Sequence, residues 1–182
     1  IFDYADSVGS PCVINFSEGS RQDFQGYDQL YYEMLDSLTG PGHIIVSSAG
    51  NNGQAINYLH KGINQSSAGL FCGSNLQNVG FTTKASGTVR NFTLRLSAYV
   101  KADEPQTIDI PMSRVLASDD STLVDTVEVG NYKYVIAATA YPSCYDAGEV
   151  VCDWDIITLA NIFSKCYPVS LQLMGKDTDV EL

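Results

Sequence analysis

Two short apolar runs, 11–16 (PCVINF) and 43–48 (HIIVSS), flank one amphipathic stretch, and this arrangement constrains the fold most strongly. Each run is too short for a helix and suits a brief strand; 11–16 reads as one buried on both faces. Between them, 27–38 (YDQLYYEMLDSL) sets Leu30, Met34, Leu35 and Leu38 at helical spacing, with Tyr27 and Tyr31 on or near that face. Thr39-Gly-Pro-Gly then halts the helix. Strand, helix, strand with short links implies a parallel pair joined by a right-handed crossover. Each strand runs into a polar, glycine-containing loop, 17–26 after the first and 49–53 (AGNNG) after the second. Residues 1–9 read as the end of a helix.

The rhythm changes near residue 66. The stretch 88–99 alternates, with Val89, Phe92, Leu94 and Leu96 on its apolar side after one slip. Further strands are expected at 108–112, 123–129, 132–140 and 169–174, with a short helix near 154–163. Several strands without a strand-helix-strand rhythm suggest an antiparallel sandwich or jelly roll. The fold class is therefore α+β. A β-α-β segment over residues 1–62 is followed by a β-sandwich-like domain over 66–182, and the boundary lies in 62–73, a stretch rich in Gly, Ser and Asn.

Charge and composition exclude several functions. Ten Lys and Arg against twenty-one Asp and Glu give a formal net charge of −11. The deficit is spread along the chain: residues 1–65 hold seven acids and two bases, residues 66–182 fourteen and eight. No basic stripe offsets it, so nucleic acid is not an expected partner. The longest apolar runs, such as 134–141, fall far short of the roughly 20 residues that span a bilayer. The five cysteines form no CxxC pair and the two histidines stand far apart, which argues against zinc. Cys144 and Cys152 read either as a small disulfide or as buried thiols, and Cys12 as a small hydrophobe in a strand. Asp119/Asp120, Asp153/Asp155 and Asp177/Asp179 could hint at structural calcium, but none completes a calcium-loop pattern and turn-associated acids are the preferred reading. No other cofactor is expected.

The first third of the chain carries the chemistry. Val13-Ile-Asn-Phe-Ser-Glu-Gly19, an amphipathic helix, and Ile44-Ile-Val-Ser-Ser-Ala-Gly-Asn-Asn-Gly53 together resemble the middle of the subtilisin-like serine protease (subtilase) family. In that family a strand ending in V-I-N-x-S-x-G precedes a helix and a strand ending in A-G-N-x-G. The resemblance covers about residues 1–60, and two ordered motifs at the expected separation make it specific. It implies that Asn51 is the oxyanion-hole asparagine: a neutral amide donor for the negative charge that develops on the scissile carbonyl oxygen. It also implies that Ser48, Ala49 and Gly50 form one wall of the primary specificity pocket. Ser17, Glu18 and Gly19 match the segment that pairs with the substrate backbone as an added strand. Apart from its context, Asn51-Asn-Gly53 also reads as a plain turn. Glu18 departs from the family, where an apolar residue is usual. Its carboxylate either selects basic residues in the bound peptide or points into water.

Other family motifs do not occur. No Asp-Thr/Ser-Gly follows an apolar strand, no His-Gly-Thr follows either histidine, and no Gly-Thr-Ser run supplies a nucleophile. His43 and His60 read as surface residues. The chain is therefore expected to be an internal piece of a subtilase, inactive alone, whose partners are the rest of the protease domain and a peptide or protein substrate. The β-rich stretch is expected to be an insertion between the asparagine and serine motifs. A secreted or bacterial cell-envelope location follows from the resemblance. The competing reading is a noncatalytic binding or structural β-domain of a pseudoprotease.

Overall fold

In the computed structural model, the two apolar runs form strands β1 (Cys12–Phe16) and β2 (His43–Ser47), which pair in parallel from Cys12↔His43 to Phe16↔Ser47. The structure describes residues 1–17, 29–48, 58–73, 78–86, 90–101, 103–129, 132–143, 148–159 and 169–182. The chain divides into two compact units, Ile1–Ala55 and Ile56–Leu182.

In the first unit, helix α1 (Phe2–Ser7) buries Phe2 and Ala5. Helix α2 (Gln29–Leu38) lies between the strands in sequence. The turn into β2 needs a left-handed residue, and Gly42 supplies it at φ +86° while its carbonyl accepts a 2.7 Å hydrogen bond from the Cys12 N–H. Burial departs from expectation. On one strand face Ile14 and Ile45 are half-buried neighbours, but Val13, Ile44 and Val46 on the other are 62, 50 and 48% exposed. Met34 and Leu38 on the helix are exposed too. A sheet of two strands has no flanking strands or second layer to cover it, so burial on both faces does not occur among the described residues.

The second unit is built from two antiparallel sheets. Its strands are β3 (His60–Lys61), β4 (Ser67–Gly73), β5 (Asn78–Ser86), β6 (Thr93–Lys101), β7 (Glu104–Pro111), β8 (Thr122–Val129), β9 (Tyr132–Pro142), β10 (Val150–Thr158), β11 (Val169–Met174) and β12 (Asp179–Glu181). One sheet has the order β3-β12-β5-β10-β9-β8 and the other β4-β11-β6-β7. Pairing is nested: β3 with β12, β4 with β11, β5 with β10, β6 with β7. That is the wrapping order of a jelly roll, here widened by β8 and β9 alongside β10.

The sheets share one core. Leu94, Leu96, Ile110, Leu171 and Leu173 from the smaller sheet meet Tyr134, Ile136, Trp154, Ile156 and Val180 from the larger. Trp154 stacks on Phe81 at 6.1 Å between ring centres, and its buried indole N–H donates to Thr83 Oγ1 at 2.9 Å. Cys152 is buried beside it with a free thiol, so the reading that closes a disulfide with Cys144 does not hold; Cys144 itself lies outside the described residues. Burial pushes the Cys152 thiol pKa up, and the Cys72 thiol is raised to about 11 by the same cause.

Two expectations need correction. Trp154 does not open a helix: Val150–Thr158 is a strand, because Cys152, Trp154, Ile156 and Thr158 alternate inward and period two wins. The rest of the expected helix, 160–163, lies outside the described residues. Met112 does not end a strand; it begins helix α3 (Met112–Leu116), fully buried, with its N–H on the Phe92 carbonyl at 2.8 Å. The stretch 62–73, in which the boundary is expected, holds β4, whose Leu70 and Cys72 pack against the core.

The roll closes at a seam where β12 lies between β3 and β5. Leu59 and Leu182 exchange two 2.8 Å backbone hydrogen bonds. Across the seam Tyr58 Oη donates to Glu181 at 3.0 Å, His60 Nε2 meets Asp179 at 2.9 Å, and Lys84 pairs with Glu181 at 2.9 Å. Lys61 is fully buried behind it, and its ammonium donates to the carbonyl oxygens of Thr178 and Gly62. Burial lowers the Lys61 pKa, while Asp179 and Asp177 act in the opposite direction.

Thr83→Val removes the acceptor of a buried indole N–H. It should cost about 1–3 kcal/mol in urea unfolding, whereas Thr83→Ser should retain most of the stability. The seam also sets an acid limit. The hydrogen bond from Lys84 holds the Glu181 carboxyl below its ordinary value, and Arg95 and Arg114 do the same for Asp109 and Asp125. A carboxyl depressed by folding stabilises fully above its unfolded pKa, near 4 for these groups, and that stability is lost as pH falls through the folded value. Melting temperature should therefore drop below about pH 4, with a shallower drop in Glu181→Gln.

Candidate functional site

A parallel register brings the carboxyl ends of both strands to the same edge, the place where open α/β sheets bind ligands. β1 ends at Phe16 opposite Ser47 of β2, and the Ser48 N–H donates to the Phe16 carbonyl at 3.4 Å. The two motif-bearing loops therefore leave from adjacent points. Ser17 and Ser48 are both exposed there, and Ser17 Oγ donates to Asn15 Oδ1 at 3.3 Å. These are the predicted site residues that the structure brings together. Glu18, Gly19, Ala49, Gly50 and Asn51 lie outside the described residues.

The opposite end of the same pair holds an arrangement that sequence reading missed. His43, expected at the surface, has a side chain only 26% exposed; its Nε2 lies 2.7 Å from Asp6 Oδ1. The imidazole stacks on Phe2 at 4.4 Å. A shallow depression beside it is lined by Ser10, Pro11, Pro41 and Gly42. An Asp–His pair is a familiar way to orient a general base, but its position decides against that role for the predicted site. His43 begins β2 and Ser48 follows its end, and five strand residues at about 3.3 Å each separate them by roughly 16 Å. An imidazole so far away cannot take a proton from a group at the strand ends. The pair instead ties α1 to the start of β2. The signal that could have found it is the sequence pairing of a helix-borne Asp with a strand-opening His, which is too common to stand out.

In the second unit several described carboxylates are engaged by neighbouring side chains. Asp153 accepts from Thr82 at 2.6 Å and Tyr141 at 3.0 Å, and Arg95 grips Asp109 with two bonds of 2.6 and 2.7 Å. No group of three or more His, Cys, Asp or Glu placed to hold a metal occurs among the described residues. No described helix is long and apolar enough to cross a membrane.

Comparison with known proteins bears on the fold. No family model matches the sequence, and no curated protein matches it. Among solved structures, the chain is similar to the Clostridium perfringens CspB protease, with a TM-score of 0.58 and 14% identity. The match covers 99% of this chain and 37% of that one, so this chain spans just over a third of that protein's length. At such identity the likeness is one of fold, a β-rich α+β arrangement also found in a protease.

Proposed function

We propose that these residues belong to a subtilisin-like serine endopeptidase, in which the β1 and β2 ends supply the oxyanion-hole donor Asn51 and part of the substrate groove. In this reading Ser17, Glu18 and Gly19 line the path of the substrate backbone, and Ser48, Ala49 and Gly50 form a wall of the specificity pocket. The observation that carries it is the adjacency of Phe16 and Ser48, from which the two motif loops depart side by side. A subtilase requires that adjacency, because one loop must hold the peptide while the other polarises its carbonyl. The fold likeness to a protease supports the same reading. So do the exposed Val13, Ile44 and Val46, since a parallel pair ordinarily lies inside a larger covered sheet.

The mechanism assigns limited work to this chain. Attack on a peptide carbonyl places negative charge on its oxygen, and the Asn51 amide stabilises that charge without titrating. The attacking serine, its histidine and the second backbone donor come from elsewhere in the protease domain. The second unit is an insertion in this reading. Leu59 and Leu182 are hydrogen-bonded to each other, so a chain leaving the roll emerges beside the point of entry and a host fold need not open to admit it. A secreted or cell-envelope setting accompanies the family reading.

Two measurements test it. A fluorophosphonate probe should leave the 182-residue chain unlabelled, because it contains no Gly-Thr-Ser nucleophile. In the complete open reading frame the same probe should label a serine, and Asn51→Ala should lower kcat by about 10²–10³ with little change in KM; that magnitude is subtilisin's own, taken over here. An open reading frame without a reactive serine would leave the noncatalytic reading in its place.

A further inference from the structure

The outer face of the smaller sheet carries a shallow groove that neither the core nor the protease reading uses. It spans about 230 Å³ across β4, β11 and β6. That is below the roughly 300–1,000 Å³ of pockets that engulf a small molecule, so it would hold one face of a ligand. Two aromatic rings form one wall. Phe71 is 62% exposed, and Tyr99 meets it edge-on at 6.3 Å. Neutral polar groups complete the lining. Tyr99 and Ser170 share a 3.2 Å hydroxyl–hydroxyl bond, and the Gln172 amide donates to Ser67 at 3.1 Å. Ser97, 8% exposed, adds a further hydroxyl to the lining. Among the described residues, no charged side chain lines the groove.

The floor is kept open by a close backbone approach. A Cβ on Gly69 would stand 2.9 Å from the Leu171 carbonyl oxygen, so β4 can sit this near β11 only with glycine there. A side chain at that position would also rise between the aromatic wall and Gln172.

We propose that this groove binds a neutral saccharide. A sugar ring has one face of C–H groups that packs on an aromatic ring, and a rim of hydroxyls that both donate and accept. The groove offers the matching set: exposed aromatic carbon beside hydroxyls and an amide that also do both. The chain's net charge of −11 disfavours anionic ligands, and the uncharged lining gives a cationic one no partner. An apolar ligand would leave the remaining donor and acceptor positions of these hydroxyls and this amide unused. The inference does not depend on the protease reading.

The test is NMR titration of the 182-residue chain with cellohexaose, maltohexaose and hexa-N-acetylchitohexaose at millimolar concentration, with a heparin hexasaccharide as the anionic comparison. At least one neutral oligosaccharide should shift the amide resonances of residues 69–71, 97–99 and 170–172. Phe71→Ala should weaken that binding about tenfold, and Phe71→Tyr should preserve it. Because Phe71 points into solvent, circular dichroism should show Phe71→Ala as folded as the parent. The proposal is overturned if none of the three neutral oligosaccharides binds, if binding is indifferent to Phe71→Ala, or if heparin binds more tightly than all three.

Discussion

Face-to-face burial of the two antiparallel sheets is the interaction on which the second unit depends. The inward rows are predominantly apolar, so neither sheet is stable in water without the other, and the shared core removes both faces from solvent together. Trp154 sits at the centre of this arrangement. It is the largest fully buried side chain among the described residues, and Thr83 satisfies its polar edge. The seam, the ion pairs and the groove all lie on strands whose inner faces are held by that core. Their charges add little by comparison, since exposed pairs such as Arg95–Asp109 are screened by solvent.

Strands with clean alternation were legible in advance. The predicted limits at 169–174 match β11, and 123–129 and 132–140 fall within β8 and β9. The errors share a cause. β4 does not stand out as a strand in the sequence because Gly69, which lines the groove, and Ser67, which accepts from Gln172, weaken its apolar signal. Around Trp154, aspartates alternate with large apolar residues, and local reading cannot tell outward acids on a strand from the polar face of a helix. Helix α3 is short, and tertiary contact holds it: Met112 and Val115 sink into the core, and the Asn91 side-chain oxygen accepts from the Ser113 N–H. No five-residue window carries that information.

The candidate site rests on a different kind of reading, two motifs and the distance between them; the parallel register of β1 and β2 sets the described ends of those motifs, Phe16 and Ser48, side by side. What motif reading could not supply was the environment. The apolar runs predicted burial, but burial is a property of neighbours, and Val13 and Val46 are covered only when other strands and helices are present. His43 shows the same limit: its residue type and place in a strand said surface, while Phe2 and Asp6, some forty residues earlier, set its surroundings.

Closure of the roll also governs how fast it can form. Tyr58 meets Glu181 across 123 residues and His60 meets Asp179 across 119, and the pairs nested inside them span progressively shorter loops. Such contacts repay the entropy of ordering the chain only after nearly all of it is in place. Of the nested pairs, the inner hairpin of β6 and β7 closes the shortest loop, and the pairing of β3 with β12 closes the longest and carries the largest loop-closure cost. On the ribosome, β3 is among the first strands of the unit to emerge and must wait unpaired until β12 has been made. The segment that seals the finished domain is thus the one with the longest solitary life during synthesis.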